Sequence, residues 1–125
     1  MTPDYLAIKE SDSVRQVLDI IRTRGQAAET LNFLFVVDDN GVLIDDINIK
    51  EFLVVDPSTP VEKLMDHQFI ALPVNAAQTE TIAIFKNNSR FALPVINESG
   101  VLLGIVTSDD VLRLSKKKIP GKFRG

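Results

Sequence analysis

Apolar residues fall three and four apart at Val14, Val17, Leu18 and Ile21, a spacing that places them on one face of a helix. Ser11-Asp12-Ser13 supplies capping side chains before that helix, and Gly25 stops it. Tyr5 to Lys9 ahead of it reads as a short strand. From Leu31 to Val37 only Asn32 is polar, which suits a strand buried on both faces. Asp38-Asp39-Asn40-Gly41 then carries Asn-Gly at the tip of a hairpin turn. Val42 to Ile47 returns as the paired strand, Ile49 to Val55 makes a short helix, and Asp56-Pro57-Ser58-Thr59-Pro60 forms a linker.

The pattern then repeats. Val61 to Met65 is a short helix, Phe69 to Val74 a strand, and Thr79 to Asn87 a helix with Ile82 and Phe85 as its buried pair. Phe91 to Ile96 is a strand, Asn97-Glu98-Ser99-Gly100 a turn and Val101 to Val106 the return strand, with Thr107 at the start of a last helix. Within this stretch Val95 to Leu102 restates Val36 to Leu43 at a displacement of 59 residues. The two long helices need an offset of about 65 instead (Val17 with Ile82), so the first copy holds roughly six extra residues around Gly25 to Thr30. Each copy is strand-helix-strand-strand-helix, too small to bury its apolar face alone. The expected fold is α+β: two such units, residues 1–56 and 57–115, packed about a pseudo-twofold axis, with a basic tail over 116–125. Function is expected in the clefts between the units.

Composition narrows the functional classes. There is no cysteine, so disulfides, thiolate metal sites and cysteine nucleophiles are excluded. No apolar run approaches the roughly 18 residues of a membrane-spanning helix, and Met1-Thr2-Pro3-Asp4 lacks the features of a signal peptide. Residues 1–112 carry eight Lys/Arg against all 17 Asp/Glu, whereas residues 113–125 hold six cations and no acid. Such an acidic body argues against nucleic acid as a partner. The single His67 has no partner for acid–base work, no serine or threonine has a paired base, and the glycines are too scattered for a phosphate-cradling loop or a dinucleotide fingerprint. These absences argue against an enzyme.

Leu93-Pro94-Val95-Ile96, Gly100 and Gly104-Ile105-Val106-Thr107-Ser108-Asp109-Asp110-Val111-Leu112 resemble the signature of a cystathionine β-synthase (CBS) motif, two of which make a Bateman module. The opening Met1-Thr2-Pro3-Asp4-Tyr5, the run Ala28 to Asp38 and the linker Val55-Asp56-Pro57 are similar to the CBS pair of MgtE-type magnesium transporters. The resemblance implies a non-enzymatic sensing domain in the cytoplasm, part of an inner-membrane transporter whose membrane transport domain is its neighbour. It also implies a homodimer through the CBS helices and a chain that is an excised fragment. A module of another transporter or enzyme, sensing adenosine nucleotides or only dimerising, is the alternative.

A nucleoside ligand wants a carboxylate for its ribose, an apolar slot for its base, and amides or cations for its phosphates. Thr107-x-x-Asp110 at a helix start sets a hydroxyl and a carboxylate on one side, and the resemblance implies a ribose-binding role for both. The same spacing is also an ordinary N-cap with an acid in the first turn. Pro94, Val95, Phe69 and Ile70 can wall the base. In the first copy Glu51 can reach a ribose and Lys50 a phosphate, while Asp45, standing where the second copy has Gly104, puts a charged side chain where backbone would approach. The implied ligands are an adenine nucleotide (ATP, ADP or AMP) and Mg2+. For the cation the resemblance points to Asp109 and Asp110, while Ala77, Thr79 and Arg113 stand where the family carries acids. Asp38, Asp39, Asp45 and Asp46 flank the first hairpin and read as solvated turn charge.

Overall fold

Two three-stranded sheets meet at their hairpin turns. In the computed structural model, which describes residues 1–28, 32–88 and 90–111, the first sheet is β1 (Ala7–Ile8), β2 (Phe33–Val37) and β3 (Leu43–Asn48) in that order. The second is β4 (Leu72–Pro73), β5 (Ala92–Ile96) and β6 (Leu102–Thr107). In each, the first strand runs parallel to the second and the second antiparallel to the third. The register pairs Val36 with Asp45 in one sheet and Val95 with Gly104 in the other. Gly41 and Gly100 take φ of +82° and +84°, the left-handed region their turns require. Across the pseudo-twofold axis Leu43 N–H donates to Gly100 O and Leu102 N–H to Gly41 O, both at 3.0 Å. The α+β expectation and the repeat both hold.

Helix α1 (Val14–Arg24) begins where Ser13 and Gln16 exchange hydrogen bonds, a complete capping box, and it buries Val14 and Val17 entirely. Full burial of each valine contributes about 1.5–3 kcal/mol. Two of its orphan N–H groups, those of Val14 and Arg15, donate to Thr59 O and Pro57 O, so the linker caps the helix of the first half. Gly25 does end the helix, but with right-handed geometry (φ −64°), because the chain continues into a 3₁₀ turn, Gly25–Ala27, inside the expected insertion. Val61–Leu64 is also a 3₁₀ turn. α2 (Ile49–Leu53) is capped by Asn48, α3 (Gln78–Asn88) buries Phe85 with Ile82 partly buried, and residues 108–111 are helical. The strand expected over Phe69 to Val74 is confined to Leu72–Pro73, which pair in parallel with Val95 and Ile96 of β5.

One core gathers Val17, Leu34 and Phe52 of the first half around Val61, which the start of the second half contributes, and another lies around Leu72, Phe85, Leu93 and Val111. A third apolar cluster joins Phe35, Val37 and Leu43 of the first half to Leu102 and Ile105 of the second. This shared layer holds the halves face to face. Among the described residues no helix is long and apolar enough to cross a membrane. The basic tail assigned to 116–125 lies outside the described residues.

Candidate functional site

Along β3, Asp45 and Ile47 face the first core with Val36 and Leu34, and Asp46 and Asn48 face the other side. A register shift at Val36/Val37 puts Leu43 in the cluster shared between the halves. Asp45 and Asp46 are therefore not solvated turn charges. Asp45 is fully buried, and its carboxylate accepts backbone N–H groups from Asp46 at 2.8 Å, Asp66 at 3.0 Å and His67 at 3.1 Å. The charge expected to obstruct an approaching backbone is instead what receives it. His67 is exposed and sits at φ +60°, a left-handed conformation held beside this clamp.

Asp46 faces the cleft between the halves. Its Oδ2 accepts from Nη1 of Arg90 at 3.3 Å, and both side chains are about nine-tenths buried, with 9% and 10% of their surface exposed. The Arg90 guanidinium also lies 3.7 Å above the centre of the Phe33 ring, a cation–π contact. Burial pushes the Asp46 carboxyl above its ordinary value; the Arg90 charge and hydrogen bond oppose this, and nearby Asp45 and Asp66 reinforce it. Arg90 Nε and Nη2 are buried with no hydrogen-bond partner among the described residues.

Among the described residues Arg90 walls three clefts. One, of about 160 Å³, lies within the second half against Ile82, Phe85 and Val111, and the remaining two reach residues of the first half. The smaller of these two, of about 180 Å³, is lined by Asn32, Phe33, Phe35 and Asn48 from the first half and Arg90, Phe91 and Ala92 from the second. It straddles the pseudo-twofold axis, since Asn32 and Phe33 correspond to Phe91 and Ala92 at the repeat's displacement. The other, of about 370 Å³, is lined by Asp46, Asp66, Gln68, Phe69, Ile70 and Arg90. One side of each of these two clefts is aromatic or aliphatic and the other polar, a surface suited to a flat ring carrying polar groups.

Of the residues singled out from sequence, Phe69 and Ile70 lie together in the larger cleft. Pro94 and Val95 are buried in β5, paired with Ile105 and Gly104, and Val95 belongs to the second core. Thr107 is buried and its hydroxyl accepts the Asp110 N–H at 3.3 Å, the contact of a helix cap. Asp110 is half-buried and Asp109 exposed, while Lys50 and Glu51 are exposed on α2. Neither of the clefts that reach the first half has Thr107, Asp110, Pro94, Val95, Lys50 or Glu51 among its walls. No three of His, Cys, Asp and Glu among the described residues come together as a metal site.

Sequence reasoning missed Arg90, Phe33 and Asp46. Arg90 and Asp46 are 44 residues apart, and no periodicity links a loop arginine to an aspartate on a distant strand. The available signal was Asp46 itself, a carboxylate in a strand whose partner, Phe33–Val37, is apolar throughout.

A family model described as CBS domain matches residues 1–53 and 44–117. The magnesium transporter MgtE of Thermus thermophilus is 36% identical over 112 residues, 90% of this chain and 25% of that protein. The crystal structure of the cytosolic domain of the Mg2+ channel MgtE in complex with ATP superposes with a TM-score of 0.87 at 35% identity, over 91% of this chain and 46% of that one. The soluble part of a magnesium transporter gives a TM-score of 0.88 at 24% identity, covering 94% and 46%, a likeness of fold. The chain thus spans about a quarter of the length of the curated relatives it matches.

Proposed function

This chain belongs to the CBS-domain family, and from that premise we propose that it is the ligand-sensing regulatory pair of a magnesium transporter, acting on the cytosolic side. The observation that carries this reading is the 36% identity to a magnesium transporter across 90% of the chain. A solved relative of the same fold holds ATP, and an adenine nucleotide is the ligand we assign to the cleft between the halves here.

Residues 1–56 and 57–115 are the two motifs. Phe69 and Ile70 give the cleft its apolar side. Thr107 and Asp110, at the start of the helix after β6 and outside the walls of that cleft, take a ribose approaching from the second half. Pro94 and Val95 of β5 lie behind them, and Lys50 and Glu51 serve the first-half counterpart. Mg2+ accompanies the phosphates or binds at Asp109 and Asp110. Two copies associate through their helices, for which the exposed Leu53 and Val54 at the end of α2 offer apolar surface. Regulation is by differential binding: a ligand that holds the halves in one arrangement biases the attached transport domain toward the matching state.

Thermal unfolding tests this. The wild-type chain and Asp110→Ala are melted with ATP, ADP, AMP and Mg2+, singly and combined. A nucleotide at about 100 times its dissociation constant adds about 2.7 kcal/mol, a rise of several degrees. The expected result is stabilisation of the wild type that Asp110→Ala loses. Unfolding curves that ignore every ligand would sink the sensing role.

A further inference from the structure

The guanidinium of Arg90 is in an awkward place. It is nine-tenths buried, pairs with Asp46 through Nη1 alone, and covers the Phe33 ring at 3.7 Å. Its Nε and Nη2 are shut off from solvent and have no hydrogen-bond partner among the described residues. Those two groups form the side of a guanidinium that presents parallel donors to a carboxylate or phosphate. Buried donors without acceptors destabilise the arrangement that holds them. The Asp46 carboxyl, raised by burial despite its cation, indicates that the pair does not fully offset its own desolvation.

Position matters as much as chemistry. Arg90 is the wall between clefts of about 180 and 370 Å³. The smaller is too tight for a ligand of several rings. Joined by movement of this one side chain, the two fall well inside the range of roughly 300–1,000 Å³ typical of small-molecule sites. The face that movement uncovers is an aromatic ring, on which a flat heterocycle stacks.

We propose that Arg90 is a displaceable plug: a planar ring takes the Phe33 face, and the freed guanidinium turns its Nε–Nη2 edge to the ligand's anionic group. The site therefore selects ring-bearing anions, a nucleotide over the corresponding nucleoside. This rests on the nucleotide reading of the cleft given above, and it assigns the selectivity to one residue from the loop before β5. Asp46 is the counterweight that holds the plug in place.

Calorimetric titration of AMP and adenosine into the wild type, Asp46→Asn, Arg90→Ala and the double variant tests it. Arg90→Ala leaves Asp46 buried without its cation, so the double variant guards against simple loss of fold. The wild type should prefer AMP by about tenfold or more, the worth of one charge-assisted contact. Arg90→Ala and the double variant should bring the two affinities close to equality, with adenosine bound more tightly than by the wild type. Asp46→Asn should strengthen AMP while keeping the preference. An AMP-to-adenosine ratio unchanged across all four proteins overturns the plug and leaves the nucleotide reading standing. Binding of neither ligand to any of them overturns both.

Discussion

The third strand of each half is crossed by the segment that leads into the other half, and the two crossings are solved by opposite means. Over β6 the crossing is bare: Thr2 and Ile105 exchange backbone hydrogen bonds at 2.9 Å in both directions, above Gly104. A Cβ on Gly104 would stand 2.8 Å from Thr2 O, so the glycine is there because backbone occupies its side-chain space. Over β3 the crossing is padded: Asp45 fills the matching position and its carboxylate takes the N–H groups of Asp66 and His67. A repeat can thus preserve a contact while exchanging its chemistry, a ladder pair in one copy and a buried carboxylate in the other. The exchange has an electrostatic consequence, because the first half gains a buried charge and the second does not.

Asp45→Gly, which makes the first crossing resemble the second in sequence, should have the largest effect. It leaves three N–H groups without their acceptor, at a cost of about 3 kcal/mol in chemical denaturation. A variant as stable as the wild type would mean that the segment at 66–67 pairs with β3 unaided. Gly104→Ala probes the other crossing. The methyl group must displace Thr2, at a cost of about 2 kcal/mol, with faster amide exchange at Ile105. If exchange there is unchanged, the lead-in segment is not held by this contact.

The smallest effect lies in pH dependence. Asp46, with its folded pKa above 3.8, binds protons more readily folded than unfolded, so its share of stability grows as pH falls through the raised value and is complete below 3.8. Asp56, lowered by hydrogen bonds from Ser58, runs the other way: its share is present above 3.8 and is lost as pH falls through its folded value. Asp46→Asn should therefore steepen the acid-side loss of stability relative to the wild type. Denaturation midpoints from pH 3 to 6 give the comparison, and a shallower loss in Asp46→Asn would reverse the assignment.

The hairpins, the α1 cap and the order of elements were legible because each is set by neighbours in sequence. Asn40-Gly41 and Ser99-Gly100 mark the turns, and Ser11-Asp12-Ser13 marks the helix start, where Ser13 is the cap. Burial of Asp45 and Asp46 was not legible, since a carboxylate near a hairpin is solvated unless a remote segment covers it, and here Asp66, His67 and Arg90 do. The candidate cleft was visible in part through Phe69 and Ile70. The apolar run Phe69 to Val74 suggested a strand, but only its end meets β5, through Leu72, Pro73 and the Val74 N–H, and Phe69 and Ile70 line the cleft with Asp46 and Arg90 instead. Thr107 was legible as a cap and is found as one.

The reciprocal crossing also bears on how such a chain is born. Thr2 finds its partner only when Ile105 has emerged, about a hundred residues later. At ordinary rates of synthesis that is a wait of roughly 5–20 s. The first sheet can close long before then, yet Thr2 stays unclaimed until β6 has been made.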